Sequence, residues 1–427
     1  MMANEEWYGR RLVVPKIDYE ATMGEASEAI VKGNCTRCGQ KNLFDLPRGE
    51  QYCRACLNLG RVSTLDYLVS QPERHAFVGQ ALLTWQGQLT EQQTAVSQEL
   101  IASLEAGRDH LVWAVTGAGK TEMLFPLILK ALQSRRRVAL VSPRLDVINE
   151  LAPRIKAAFE ATDLIVLHGQ TEEPYRYTQL VLATTHQLLR FYQAFDLIIV
   201  DEVDAFPFRG DPTLAYALQN ARLSDGTVVY LTATPTPDLL RQHKRGQLAC
   251  SYLPLRFHQH LLPELKIKRV GNWRKGAPGH LLKCLREFQQ QQQRFLIFVP
   301  KITDLALVQK YLADFPAMVG TTVYAADPDR IEKVTKMRNG EYQYLITTTI
   351  LERGVTLPGI DVLILGADDP VFSANALVQM AGRVGRKANR PDGLVQAYCQ
   401  QMTWPVWQAR KQIQDMNRRG QKLKGEE

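Results

Sequence analysis

The stretch Ala114-Val-Thr-Gly117-Ala118-Gly119-Lys120-Thr121 stands between an apolar, strand-like run, Leu111 to Val115, and a helical pattern from Glu122 to Leu132. That setting constrains the fold more than any other feature of the chain. Glycines let backbone N–H groups close on phosphate oxygens, and the N-terminus of the following helix adds a positive dipole, so strand, loop and helix must follow one another in that order. Lys120 is then the group that reaches β- and γ-phosphates, and Thr121 is a ligand for Mg²⁺. Gly117, Ala118, Gly119 and Glu122 are the neighbouring candidates for holding a nucleotide. Ala114 stands where the usual pattern has its first glycine, which makes the motif weaker by itself than in its context.

A second element follows about eighty residues later. Leu197-Ile-Ile-Val200-Asp201-Glu202-Val203-Asp204 is a buried strand that delivers adjacent carboxylates at its C-terminal end, where open α/β sheets place their ligands. Asp201 suits Mg²⁺, and Glu202 suits polarising an attacking water. Far downstream, Gln379-Met-Ala-Gly382-Arg383-Val-Gly385-Arg386 sets two arginines three apart, which on a helix puts both on one face. Guanidinium groups are suited to neutralise charge on a transferring phosphate, so Arg383 and Arg386 read as fingers donated across a cleft, with Gln379 in the same box.

Strand-like runs alternate with helical stretches from about Trp85: Val138 to Val141, Leu180 to Ala183, Leu197 to Val200 and Val228 to Leu231. The pattern breaks over Leu253 to Trp273 and resumes with Phe295 to Val299, Tyr344 to Thr348, Val362 to Leu365 and Leu394 to Ala397. Such alternation predicts parallel sheets with crossover helices. A chain of 427 residues exceeds one ordinary core, so two α/β domains are expected. The expected divisions are an arm over 1–32, a cysteine module over 33–70, α/β domains over 77–252 and 253–404, and a charged tail over 405–427. The tail reads as a solvated helix, with nucleic-acid contact the other reading. The glutamines from Gln289 to Gln293 read as an exposed helix end, and His168 and His186 as structural histidines.

No apolar run approaches the ~18 residues that would span a bilayer, and the N-terminus lacks the layout of a secretory signal, so a cytoplasmic protein is expected. The excess of 52 basic over 44 acidic residues favours a polyanionic partner. In a reducing compartment Cys250, Cys284 and Cys399 read as buried thiols, while Cys35-Thr-Arg-Cys38 and Cys53-Arg-Ala-Cys56 form two knuckles fourteen residues apart. Each pair can bite one ion, which predicts a tetrahedral zinc site closed by four cysteines, and therefore structural. Arg37, Lys41, Arg48 and Arg54 surround it; DNA contact, a folding staple and a partner-docking surface all stay open.

In order and spacing over about Trp85 to Tyr398, the phosphate loop, Asp201 to Asp204, Leu231-Thr232-Ala233-Thr234-Pro235 and the Gln379 to Arg386 box resemble the motifs of superfamily 2 helicases. The resemblance implies two tandem RecA-like domains around one ATP site, with Thr232 and Thr234 coupling hydrolysis to movement. It also implies an adenine-reading glutamine in Leu89-Thr-Glu-Gln92-Gln93, with the spacing not choosing between Gln92 and Gln93. A nucleic-acid track is implied at Pro143-Arg144, Thr184-Thr185-His186 and Thr348-Thr349-Ile350.

A closer resemblance is to the ComFA family of late-competence DNA-uptake ATPases. It is carried by the cysteine module ahead of the motor, by Asp201-Glu-Val-Asp-Ala-Phe-Pro207, by Ile350-Leu-Glu352-Arg353-Gly354-Val355-Thr356 and by the chain length. Gly354 thereby joins the nucleotide candidates. This resemblance implies ATP, Mg²⁺ and Zn²⁺ as cofactors and a DNA-stimulated ATPase that translocates on single-stranded DNA to draw in transforming DNA. The implied partners are competence proteins, including a membrane DNA channel and a phosphoribosyltransferase-like protein, at the inner face of the membrane, with a homo-oligomer left open. The primosomal replication-restart helicase has a similar motor but carries its cysteines between motor elements and tends to have His where Asp204 stands. A replication-restart or repair helicase is the alternative reading; an RNA helicase and a non-enzymatic zinc adaptor are further rivals.

Overall fold

Strands that are apolar along their whole length need cover on both faces, which a parallel sheet clad by helices supplies. Val138–Ser142 is buried at every position and Phe195–Asp201 at all but one. In the computed structural model, which describes residues 5–171, 173–352, 357–387 and 389–425, these two strands are neighbours in a seven-stranded sheet. Its order is Leu164–Leu167, Leu180–Thr184, Val138–Ser142, Phe195–Asp201, Arg222–Thr232, His110–Ala114 and Ala249–Leu253. Parallel registers such as Ile198↔Ala139 and Asp201↔Leu231 put the ends of these strands on one edge.

The chain divides into two units, Met1–Trp113 with Lys120–Tyr252, and Ala114–Gly119 with Leu253–Glu427. The second carries a six-stranded sheet in the order Leu265–Arg269, Val395–Cys399, Ile360–Leu365, Arg294–Phe298, Tyr344–Thr347 and Gly320–Val323, parallel throughout. The fold is thus two tandem RecA-like parallel-sheet domains with a four-cysteine cluster ahead of them. The apparent break over Leu253 to Trp273 contains the edge strand Leu265–Arg269, whose Lys266, Lys268 and Arg269 are exposed. An edge strand needs little apolar cover and is kept from pairing with other chains by such charges, which is why its sequence does not read as a strand.

Two expected divisions do not hold. The stretch 1–32 is no separate arm: Arg11–Pro15 and Glu25–Glu28 both pair antiparallel with Asp66–Ser70, so the cysteine segment is an insertion within one three-stranded sheet. The charged tail expected over 405–427 is a helix, as read, but over its described residues it is not solvated all round. Trp404–Gly425 is one helix whose Val406, Ala409, Ile413, Met416, Asn417 and Gly420 are buried. The Asn417 amide takes Leu262 N–H and donates to Leu262 O, both at 2.9 Å, and Gly420 lets the helix close on Leu255 and Leu261. Small and amide residues on the stripe hid it from a search for large apolar ones. The glutamine run does sit at a helix end, Gly279–Gln290, with Gln290 to Gln292 exposed.

The N-terminal sheet is fastened to the first unit through Arg137, which is wholly buried with Glu73 at 2.8 Å. The same guanidinium donates to Tyr8 O, Thr178 O and the Tyr175 hydroxyl at 2.7–3.0 Å, while Tyr177 donates its hydroxyl to Glu73. Gly9, with φ +65°, lies where a Cβ would be 2.6 Å from Ala194 Cβ, so only glycine allows this approach. Arg137→Met strands the Glu73 carboxylate in a dry site, and removing one member of a buried pair costs about 3–5 kcal/mol. Urea unfolding should show a loss of that size; an unchanged midpoint would count against Arg137 as the fastening point.

Candidate nucleotide site and cysteine cluster

The strand His110–Ala114 runs into the loop, and Gly117 and Gly119 both take left-handed backbone, φ +80° and +72°. Only glycine adopts those angles freely. Lys120 opens the helix Lys120–Met123, which resumes as Phe125–Gln133. The interruption has a cause in Pro126, which has no N–H to give the Glu122 carbonyl. Thr121 is buried, and the Glu122 carboxylate is paired with Arg154 on the helix Leu145–Ala158.

Lys120 Nζ donates to Asp201 Oδ1 at 2.9 Å across 81 positions of sequence. Burial pulls the ammonium down, but the negative charges of Asp201 and Glu202, with that hydrogen bond, outweigh it and hold the lysine above its ordinary value. Asp201 Oδ1 also accepts the Glu202 N–H at 2.9 Å. Glu202 itself has φ +54°, an uncommon angle for a side-chain-bearing residue. Local strain of that kind is kept where the surroundings over-determine it.

Asp204 makes a link that no local pattern announces. Its Oδ1 accepts the Thr232 hydroxyl at 2.6 Å, its Oδ2 accepts the Thr234 hydroxyl, and Thr232 Oγ1 in turn accepts the Thr234 N–H at 2.8 Å. All three side chains are buried. The acidic segment and the Thr-Ala-Thr segment therefore move as one piece, through charge-assisted bonds in a low-dielectric site.

In the second unit the arginine pair does not share a helical face. The helix Ala374–Ala381, which carries buried Gln379, stops at Gly382, and Gly385 has φ +70°. Arg383 is buried and donates Nε to Glu352 O at 3.0 Å, whereas Arg386 is half-buried and reaches back to Gly382 O. Gly385, in left-handed backbone, turns the chain where spacing alone suggested a helix. Arg256, absent from any motif, donates to Gly385 O; burial, then the charge of Arg386, pushes its pKa down to about 9. Gly354 lies outside the described residues.

Gln93 sits at the third position of the helix Glu91–Glu105 and is buried, with its carboxamide oxygen accepting Thr90 N–H at 2.9 Å and its own N–H going to Thr90 Oγ1. Gln92 is half-buried. Among the expected track positions, Thr185 is fully buried, so Thr184 is the hydroxyl nearer the surface, and Arg144 is held by Asp146 at 2.9 Å. His168 Nδ1 accepts Gln170 N–H, and burial lowers the pKa of His186.

The four cysteines meet. Cys35, Cys38, Cys53 and Cys56 are fully buried, and their sulfurs lie within 4.8 Å of one another. Cys35 to Cys56 is 3.7 Å and Cys38 to Cys53 is 3.6 Å. A tetrahedron with Zn–S of about 2.3 Å has S···S edges of ~3.8 Å, so the donor set fits zinc. Arg37, one of the cations around the site, does not face solvent. It is buried, pointing Nε at Cys56 Sγ at 3.3 Å and Nη2 at Cys56 O and Gly60 O. A donor on a thiolate of this kind offsets the negative charge of four sulfurs around one dication.

Two family models match, the DEAD/DEAH box helicase over residues 92–242 and the helicase conserved C-terminal domain over 278–388. The chain is 41% identical over 397 residues to Competence protein ComFA of Bacillus subtilis, covering 90% of this chain and 85% of that protein. It is 38% identical over 431 residues to Competence protein ComFA of Streptococcus pneumoniae, covering 98% and 99%. The chain belongs to the ComFA family. As a ComFA-family protein with both helicase domains it is an ATP-binding, ATP-hydrolysing enzyme of helicase type. Among solved structures, Saccharomyces cerevisiae Dbp5 bound to RNA and ADP BeF3 shares the fold, with a TM-score of 0.56 at 16% identity over 77% of this chain and 88% of that one.

Asp204→Ala removes the acceptor of two buried hydroxyls, each costing about 1–3 kcal/mol when orphaned. Urea unfolding of the first unit should shift accordingly, with Asp204→Asn falling between. An unaltered midpoint in both variants would mean that the two segments are not joined through this carboxylate.

Proposed function

We propose that this ComFA-family chain is a Mg²⁺-dependent, DNA-stimulated ATPase that translocates along single-stranded DNA and drives uptake of transforming DNA in competent bacteria. The observation that carries the chemical part is the Lys120–Asp201 contact at 2.9 Å, with Glu202 following directly. In this reading the N–H groups of Gly117, Ala118 and Gly119 and the Lys120 ammonium hold the phosphates. Thr121 and Asp201 hold Mg²⁺, and Glu202 orients the water whose oxygen bonds to the γ-phosphorus as the bond to ADP breaks. Arg383 and Arg386 neutralise charge on the transferring group, with Gln379 supporting them and Gly354 lining the nucleotide. Adenine is read from the Leu89 to Gln93 segment. A glutamine whose amide is oriented by a helix cap is better prepared for that than a half-exposed one, which favours Gln93 over Gln92.

The uptake role rests on family membership, and the partners follow from it: single-stranded DNA, a membrane DNA channel and a phosphoribosyltransferase-like competence protein, with self-association left to measurement. No helix among the described residues is long and apolar enough to cross a membrane. The work is proposed for the cytoplasmic side, against the inner face of the membrane. Cys35, Cys38, Cys53 and Cys56 would hold Zn²⁺, which supplies a cross-link between two distant chain segments and no reaction chemistry.

ATP turnover measured with single-stranded DNA, duplex DNA and RNA at two salt concentrations tests the motor. Single-stranded DNA should stimulate most, and its binding should weaken steeply with salt. Lys120→Ala or Glu202→Gln should lower turnover by roughly 10²–10³-fold while DNA binding survives. Full turnover in the double variant would refute the site; stimulation by RNA alone, or preferential unwinding of forked duplex, would move the chain to an RNA-helicase or replication-restart role. For the metal, elemental analysis of the purified chain should give one zinc per chain, absent from a Cys53→Ser, Cys56→Ser variant. Metal retained at full stoichiometry by that variant would exclude the cluster as its site.

A further inference from the structure

Buried tryptophan is ordinary; a stacked pair left in water on a helix is not. Trp404 and Trp407 are 67% and 41% exposed, with ring centroids 4.7 Å apart and planes 25° from parallel. Lys411 continues the same face one turn on, with Nζ 4.9 Å from the centre of the Trp407 ring. The opposite face of this helix is the buried stripe that holds it to the second unit, so the aromatic face is not needed for packing. Along its exposed surface the helix carries Arg410, Lys411, Arg418, Arg419, Lys422 and Lys424 against a single acidic residue among the described ones, Asp415.

The helix begins five residues beyond the strand Val395–Cys399, so its first turn, with both tryptophans, stands at the carboxyl edge of the parallel sheet. That is the edge where open α/β sheets bind ligands. Thr348 and Thr349 follow the strand Tyr344–Thr347 on the same edge, three strands away in the sheet order, or ~14 Å at ~4.8 Å per strand.

We propose that Trp404 and Trp407 form a base-stacking platform for single-stranded nucleic acid, with Lys411 and the cations farther along the helix taking the phosphates. The inference rests on the reading of the chain as a motor on single-stranded DNA and assigns a part of the track that no helicase motif covers. An unpaired base offers an open π-face, which a duplex hides within its stack, and an aromatic flanked by cations matches base and phosphate together. A protein partner would also cover exposed tryptophan, but the helix exposes six cations against one carboxylate, and Lys411, Arg418 and Lys422 recur at helical spacing on the aromatic side, which favours a polyanion.

The test measures binding of fluorescein-labelled oligo(dT) to the full chain by anisotropy, over a series of salt concentrations. Trp404→Ala with Trp407→Ala should weaken binding roughly ten- to hundredfold, since stacking contributes ~1–3 kcal/mol per base, while DNA-free ATP turnover stays as in the parent. Trp404→Phe with Trp407→Phe should retain most of the affinity. Lys411→Gln should lower the slope of log affinity against log salt by about one. If the parent chain binds and the double alanine variant binds equally well, the platform is overturned alone, and the aromatic pair is a protein-docking face. If the parent chain binds no single-stranded DNA at any salt, the motor reading falls and the platform falls with it.

Discussion

A parallel sheet sends the carboxyl ends of all its strands to one edge, and the candidate nucleotide residues of the seven-stranded sheet follow those ends because the apolar strands themselves tolerate no charge. The loop Gly117 to Gly119, Asp201 with Glu202, and Thr232 with Thr234 all follow strands of the seven-stranded sheet. Inside the sheet, Val138 to Val141 and Leu197 to Val200 are buried without exception, so any charge there would lie in a dry interior. The apolar strands are therefore what concentrates the chemistry. They hold carboxylates close enough to the Lys120 ammonium to raise its pKa against the opposing effect of burial.

The consequence is a chain of dependence across the edge. Lys120 is held by Asp201, Asp201 also takes the backbone N–H of Glu202, and Asp204 holds Thr232 and Thr234. Asp201 and Asp204 stand in one short segment, so under the proposed ATPase reading a phosphate that displaced Lys120 would act on the threonines without any long lever. Interactions of this type are strong because the site is poorly solvated, and for the same reason each member is costly to leave unpaired. That property suits a coupling element, which must have few alternative arrangements.

Legibility in the sequence followed distance along the chain. The phosphate loop, the paired carboxylates and the cysteine knuckles are local patterns, and the strands that carry them announce themselves by being apolar on both faces. The structure departs where partners are remote or where short residues do the work. Asp204 finds its threonines 28 and 30 positions away, and Arg137 gathers Tyr8, Glu73 and Thr178 from three separate segments. The arginine pair is separated by a turn at Gly385 and does not follow a helical repeat. The C-terminal segment reads as a helix, but its buried face was concealed because Ala409, Asn417 and Gly420 fill the stripe, and the strand Leu265–Arg269 was concealed because an edge can be lysine-rich.

The cysteine cluster looks detachable in sequence, yet its surroundings argue for a fixed appendage of the first unit. Arg11 Nη1 and the Tyr216 hydroxyl both donate to Thr36 O, between the first two cysteines, and the Tyr216 ring lies against Gly39. Tyr216 belongs to the helix Pro212–Ala221 of the helicase fold, whereas Arg11 belongs to the N-terminal sheet that Arg137 fastens to the same unit. A knuckle gripped from both sides is poorly suited to swing out on a tether. Its metal would set the shape of a surface continuous with the motor, so that loss of the ion would be transmitted to the first unit through Thr36 and Gly39. Of the roles left open by the sequence, a staple that holds a rigid surface for a DNA or protein partner accounts for the buried Arg37, which an independent finger would turn outward.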